Sequence, residues 1–309
     1  MYSFNKQAVP RLMKVNPKNL ILDLMLAVGD KPMTARDAIL AGSLFNISEN
    51  SLRVTLARLS AAGLIEVAER GAYRLGPAAI DFAGEVATWR TVESRLRVWQ
   101  GSYIVVHCGA LGRSDRAALQ RRERALQMMG FRLLERGLSI RPDNIEADLD
   151  EVRQRLYKLG LDRNAAVFRA SGLDPEREAV VRQLWNGQVL TRTYRQLRVE
   201  LEAWLARADQ LPLDAAAREA FILGGKAIHQ LVFDPLLPEP FVDTRERHAF
   251  IQAVHHFDET GRAIWNRFFA SVADTPPPLH LTHQPAELET LNEQPHEPRT
   301  QLALSGRHP

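Results

Sequence analysis

Between residues 102 and 170 the chain alternates short apolar runs with segments of helical period, in the order SYIVVHC, RSDRAALQRRERALQMMG, FRLL, GLSIRP, DLDEVRQRLYKLG and NAAVFRAS. A run that is apolar at every position suits a strand covered on both faces, whereas apolar residues three and four apart suit a helix with one buried side. The order is βαββαβ, which predicts a split βαβ or ferredoxin-like unit. From Asp174 onward such runs stop: EREAVVRQLW, VLTRTYRQLRVELEAWLARA, DAAAREAFILGGKAIHQLVF and DTRERHAFIQAVHHFDETGRAIWNRFFA all read as amphipathic helices. The chain therefore belongs to the α+β class, with a mixed centre and a helical carboxy-terminal part.

The amino-terminal segment has a third pattern. KNLILDLMLAV (18–28) is apolar at helical spacing, Thr34 can cap TARDAILAG, and Ser48 can cap ISENSLRVTLARLSAAGLI (47–65), which runs as a helix as far as Gly63. LIEVAE and AYRL, joined by Arg70-Gly71, read as a small hairpin. Three short helices followed by a hairpin are the order of a winged helix-turn-helix domain, and PAAIDFAGEVATWR reads as a helix linking it to the next unit. The expected domains are 1–90 (winged helix-turn-helix), 91–172 (the ferredoxin-like centre), 173–272 (a helical effector and dimerisation domain) and 273–309, a polar, Pro-rich tail expected to be disordered.

Composition narrows the functional classes. With 45% hydrophobic and 25% charged residues the 309-residue chain reads as a soluble globular protein. No window approaches the ~18 consecutive apolar residues of a membrane helix, and MYSFNKQAVPRLMK lacks the apolar core of a secretory signal, so a cytoplasmic location without a membrane partner is expected. The single cysteine, Cys108, supports neither an internal disulfide nor a cysteine-rich zinc site, and is expected to fill core space. Residues 1–145 carry 21 Lys and Arg against 13 Asp and Glu, while the net charge of the whole chain is only +3. The amino half is thus the basic half, and a polyanionic partner is expected there.

The helix capped by Ser48 shows where such a partner would sit. Turning about 100° per residue, Leu52, Leu56 and Leu59 form its core stripe, with Thr55 at the margin. Opposite lie the short residues Asn50, Val54, Ala57 and Ala61, with Arg53 and Arg58 on the shoulders. Small central side chains let the backbone approach a surface closely while long cations reach outward, a profile suited to the DNA major groove. The expected DNA-binding residues are Ser48, Asn50, Ser51, Arg53, Val54, Ala57 and Arg58 on this helix, with Arg70 and Arg74 from the hairpin and Lys18 as further backbone contacts.

S-L-R-V-T-L-A-R-L (51–59), AAGLIE and the hairpin, WQGSYIVVHC (99–108), MGFRLLERGLSIRPDNI (129–145) and FDPLLPEPF (233–241) together resemble the PaaX family, transcriptional repressors of phenylacetic acid degradation operons. The resemblance covers about residues 18–270; the segments outside it match nothing in that pattern. It implies a winged helix domain, a centre similar in fold to the Cas2 proteins, and a helical carboxy-terminal domain. It also implies a homodimer that binds an inverted-repeat DNA operator and leaves it when an aryl-acyl-CoA effector binds, phenylacetyl-CoA or a related acyl-CoA. No cofactor is expected beyond that effector.

A CoA thioester is large and anionic, so its site should join cations to an apolar or aromatic slot. TRTYRQLR (191–198) and its neighbours offer Arg192, Tyr194, Arg195 and Arg198 with Trp185, the expected ligand-binding residues, and Trp204 is near in sequence. A solvated charged face is the competing reading of these arginines, as it is for Arg113, Arg116, Arg121, Arg122 and Arg124, which could instead form a second phosphate-contacting strip.

Two rivals come from other classes: a metal-dependent nuclease built on the Cas2-like centre, and a DNA-binding protein without a ligand. Metal-assisted phosphodiester cleavage needs convergent carboxylates, normally including one at the end of the first strand of such a fold. Here that strand ends His107-Cys108-Gly109, with no Asp before Asp115. His248, His255 and His256 share a predicted helix without a suitably spaced carboxylate, and ILGGKAIH lacks the first glycine of a phosphate loop, Ala220 standing there, so Gly224 and Gly225 are expected to serve helix packing. No GxGxxG, GxSxG or HExxH occurs. No catalytic or metal-binding residue is therefore assigned, and the protein is not expected to be an enzyme.

Overall fold

The computed structural model describes residues 15–273 apart from 30, 110, 113, 146 and 147. The expected disordered tail and Arg113 lie outside the described residues. Asn16 caps the first helix, α1 (Pro17–Val28), its side chain accepting from Asn19 N–H at 2.8 Å, with Pro17 at a position where the missing N–H costs nothing. Thr34 is both the end of a two-residue strand, β1 (Met33–Thr34), and the cap of α2 (Ala35–Ser43). Its hydroxyl accepts from Asp37 N–H at 3.0 Å while the Asp37 carboxylate accepts from Thr34 N–H at 3.1 Å, a full reciprocal capping box. α3 (Glu49–Ala61) follows, then β2 (Ile65–Glu69) and β3 (Ala72–Leu75), in an antiparallel sheet of order β1-β3-β2. Leu20, Ile21 and Met25 of α1, Ala38 and Ala41 of α2, and Leu52, Leu56 and Leu59 of α3 close one core with Ile65. Gly42 lets α2 pack closely on α3: a Cβ there would stand 2.3 Å from Leu52 Cδ1, and the buried Leu52 side chain would have to shift.

Asp23 of α1 is exposed by area, yet it has no ion pair among the described residues and the apolar mass around its carboxyl pushes its pKa up to about 6. The other charged residues lining the same cavity are Lys31, Asp258 and Arg262. The folded state therefore holds the Asp23 proton more tightly than the unfolded chain. That contribution is complete below about pH 3.8 and is lost as pH rises through about 6. Asp23→Asn should accordingly raise the thermal midpoint relative to the parent at pH 7.5 and by much less at pH 4; a gain confined to pH 4 would contradict this assignment.

α4 (Pro77–Ala87) ends earlier than its sequence suggests: from Thr88 to Arg95 the chain is a 3-10 stretch, with Thr91 outside helical geometry. Then come β4 (Tyr103–His107), α5 (Arg116–Met128), β5 (Arg132–Glu135), β6 (Leu138–Pro142), α6 (Leu149–Leu159) and β7 (Ala166–Ala170), the expected βαββαβ order. The sheet order is β5-β6-β4-β7, antiparallel throughout. Because β4 is central it is buried on both faces, and its side chains alternate between two cores. Ile104 and Val106 meet Val152 and Leu156 of α6 and Ala125 of α5. Tyr103 and Val105 meet Val181, Trp185, Leu237 and Val242 on the other face.

The helices α7 (Pro175–Gln183), α8 (Gly187–Leu205), α9 (Leu213–Val232) and α10 (Thr244–Ala273) complete the described chain, with α8 and α9 packed along α10. The first of the sheet's cores continues into them through Tyr194, Leu197, Leu201, Phe250, Val254 and Phe257, so it runs across the boundary expected near residue 172.

A buried polar knot ties the centre to the segment between α9 and α10. The Arg141 guanidinium, 1% exposed, donates to Pro142 O and Asn144 Oδ1, each at 3.0 Å, to Pro235 O at 3.3 Å, and to Met129 O. Asn144 Nδ2 donates to Leu236 O at 2.7 Å, and the Trp185 indole N–H donates to Gly130 O at 3.1 Å. Beside it, buried Asp143 accepts from Arg97 at 2.6 Å and Arg169 at 2.5 Å. Backbones also touch: a Cβ on Gly130 would lie 2.8 Å from Pro235 Cα, and one on Gly187 would lie 1.6 Å from Phe241 O. Thus MGFRLLERGLSIRPDNI and FDPLLPEPF, far apart in sequence, interlock in space.

Candidate nucleic-acid interface and ligand pockets

Ser48 caps α3, its hydroxyl accepting from Ser51 N–H at 3.3 Å, and Thr55 donates its hydroxyl to Ser51 O at 2.7 Å. With Leu52, Leu56 and Leu59 inward, the opposite face is open: Asn50, Ala57 and Ala61 are exposed and Val54 is 40% exposed. Ser51 is half-buried. Arg53 and Arg58 stand on the shoulders, both exposed. Arg53 is held 2.7 Å from Glu49, one turn earlier, whereas Arg58 has no ion pair among the described residues. In the hairpin, Arg74 pairs across strands with Glu66 at 2.7 Å, and exposed Arg70 sits at the turn beside Gly71, whose φ of +79° only glycine adopts without strain. Two of the four hairpin and helix arginines thus carry local acidic partners. Such exposed pairs contribute only about 0.3–0.5 kcal/mol and give way to a competing phosphate. Glu49 is legible in the sequence at the i−4 position of Arg53, whereas Glu66 comes opposite Arg74 only through a bulge between Val67 and Glu69 that shifts the register by one residue.

The five residues assigned to a ligand are not brought together. Trp185 and Arg192 line adjoining cavities at the start of α8: one of about 460 Å³ with Arg182, Pro240 and Phe241, the next of about 500 Å³ with Thr191, Asp243 and Arg245. Trp185 is itself only 4% exposed, its ring edge-on to Phe241 at 5.7 Å. Tyr194 lies in the core, fully buried and stacked on Phe250 at 5.8 Å. Burial, with the neighbouring Asp234 carboxylate, holds the Tyr194 hydroxyl pKa far above its usual value, and burial likewise raises Asp234. Neither Tyr194 Oη nor Asp234 Oδ2 has a hydrogen bond of good geometry. Arg195 and Arg198 are bound to one carboxylate, Glu246 of α10, at 3.2 and 2.9 Å, and Arg198 also reaches Glu202 at 3.1 Å. They join two helices, and neither lines the cavities at Trp185 and Arg192. Trp204 is buried against Phe257 at 4.7 Å.

The other candidates separate in the same way. Arg122 of α5 points inward, 6% exposed and 3.0 Å from Asp162, so it leaves the outward strip to Arg116, Arg121 and Arg124, all exposed. Cys108 is half-buried against the central core, and burial pushes its thiol pKa up. Asp115 is occupied as the cap of α5, accepting from Ala117 and Ala118 N–H at 2.9 and 3.1 Å, bonds that hold its carboxyl pKa down. His248 meets Glu93, His255 lies tilted against Trp89 with ring centres 5.1 Å apart, and no cluster of three His, Cys, Asp or Glu that could hold a metal occurs among the described residues. Gly224 faces Phe257 as a packing glycine should, a Cβ there meeting its ring at 3.2 Å, but a Cβ on Gly225 would meet nothing within 4 Å. The packing role expected for Gly225 is therefore corrected. No helix among the described residues is long and apolar enough to cross a membrane.

Among solved structures the chain is similar to the uncharacterized protein Rv0674 from Mycobacterium tuberculosis, at 21% identity and a TM-score of 0.55, over 82% of this chain and 99% of that one. At that identity the likeness speaks for the fold alone. No curated protein matches. Residues 185–267 match the family model of the PaaX-like protein C-terminal domain. The matched stretch begins at Trp185, takes in the Phe241 cavities, and runs along α8, α9 and most of α10. Through this carboxy-terminal domain the comparisons support a PaaX-family protein.

Proposed function

We propose that the protein is a DNA-binding transcriptional repressor whose first six elements form a winged helix-turn-helix and whose centre is a ferredoxin-like, Cas2-like unit. The observation that carries this reading is the open outer face of α3: small side chains at Asn50, Val54 and Ala57, flanked by Arg53 and Arg58, with nothing of the described chain laid over them. An α-helix of that profile fits a major groove, with Arg70 and Arg74 of the hairpin toward the phosphates. The protein acts as a homodimer in which each subunit presents one α3 to one half of an inverted repeat, half-sites lying about 34–36 Å apart or at a multiple of that.

Release is by an aryl-acyl-CoA, phenylacetyl-CoA or a relative, bound more tightly by a conformer whose two α3 helices are wrongly spaced. The adjoining cavities at the start of α8 support this, since they offer Arg182, Arg192 and Arg245 for phosphates beside Trp185 and Phe241 for an aryl group. The genes controlled are those of an aromatic-acid catabolic operon, and the protein performs no catalysis. Gel retention tests the whole reading. Fragments carrying an inverted repeat should be retained, released by phenylacetyl-CoA but not by free CoA, and left intact with magnesium or manganese. Retention insensitive to every acyl-CoA would remove the effector, and cleaved DNA would replace the repressor by a nuclease.

A further inference from the structure

A cavity of about 300 Å³ opens between α1 and the pair α9–α10, on a different part of the molecule from the Trp185 cavities. Its wall is aromatic. Phe221 of α9 and Phe257, Trp265 and Phe269 of α10 line it, with the Trp265 ring centre 6.2 Å from that of Phe221 and 5.4 Å from that of Phe269. Its charged groups sort into two kinds. Asp258 is engaged, accepting from Arg262 at 2.9 Å and Arg90 at 3.4 Å. Asp23 and Lys31 have no hydrogen-bonding or ionic partner among the described side chains, and their charges are opposite. A ligand of large net charge would leave one of them opposed, whereas an uncharged one with a hydrogen-bond donor meets the carboxylate directly.

The glycine pair of α9 points the same way. A glycine inside a helix is about 1 kcal/mol less favourable than alanine. The approach of Phe257 explains Gly224, but at Gly225, which lines the cavity, a Cβ would meet no atom within 4 Å. The missing side chain keeps room inside the cavity. For scale, an apolar cavity of about 150 Å³ holds benzene, so this one has room for about two rings.

We propose that this cavity binds an uncharged aromatic molecule of one or two rings, stacked against Phe221 and Trp265 and donating a hydrogen bond to the Asp23 carboxylate. Such a ligand would bridge α1 of the amino-terminal core to the carboxy-terminal helices. The site stands independently of the DNA-binding and CoA readings.

Indole and 1-methylindole are suitable probes, alike in rings but with the N–H donor only in indole. In calorimetry on the full chain, indole should bind about tenfold more tightly than 1-methylindole, the difference expected of one hydrogen bond to a charged group. Gly225→Leu should abolish binding of both while the thermal midpoint holds, because its Cβ enters open space. Asp23→Ala should make the two probes equal, a comparison that survives even if the leucine variant folds poorly. No binding of indole at millimolar concentration, binding undiminished by Gly225→Leu in a folded protein, or equal affinity of the parent for both probes would overturn the proposal.

Discussion

Replacing Arg141 by Met should lower the unfolding free energy by about 3–5 kcal/mol, because four buried neutral acceptors, each costing about 1–3 kcal/mol when left unpaired, lose their donor together. The guanidinium is 1% exposed, and it is the donor for the Met129, Pro142 and Pro235 carbonyls and for Asn144 Oδ1. Methionine fills much of the volume but satisfies none of these acceptors, which stay buried. Lysine should rescue little, since one ammonium cannot reach acceptors that are divided among Nε, Nη1 and Nη2 of a planar fork. Against a total stability of about 5–15 kcal/mol the loss is large. Denaturant unfolding of parent and variant reads it directly, and an unchanged midpoint would show that the knot does not hold the centre to the segment at Pro235.

The second large effect is on DNA. Arg53→Ala with Arg58→Ala should weaken retention of an operator fragment by two orders of magnitude or more while leaving thermal stability within about 0.5 kcal/mol of the parent, because both side chains are exposed and the Arg53–Glu49 pair is worth only a few tenths. If both arginines meet phosphates, the slope of log affinity against log salt should fall by about 2 per subunit. If one reads a guanine, the slope falls by about 1 and specificity relaxes at one base step. Unaltered retention and slope would remove α3 as the contacting helix.

Local signals in the sequence were strong enough to place most elements. Thr34 and Ser48, both legible as caps, close α2 and α3 through their side chains. The leucine stripe of α3 and the unbroken apolar run of β4 fixed which sides are buried. β1 escaped because two residues carry no periodicity and its pairing with β3 is tertiary. Tyr194 carries two conflicting signals: it falls on the stripe Tyr194, Leu197, Leu201 and Trp204, whose spacing marks a buried face, while the arginines beside it mark a charged one, and burial wins. Arg195 and Arg198 could not be judged without Glu246, which comes from another helix, and neither Trp185 nor Arg141 shows its distant partners locally. The resemblance named the segments around residues 141 and 235 without showing that they touch. Their contact depends on backbone carbonyls, which every residue has and no sequence pattern marks.

The claim on which the functional account rests is that the outer face of α3 enters a DNA groove, and site-specific photocrosslinking tests it most directly. A benzophenone side chain placed at Ala57 should crosslink to retained DNA under light, while the same group at Val199, 51% exposed on α8, should not. DNA retained by both proteins but crosslinked from neither position, or from Val199 alone, would contradict the account.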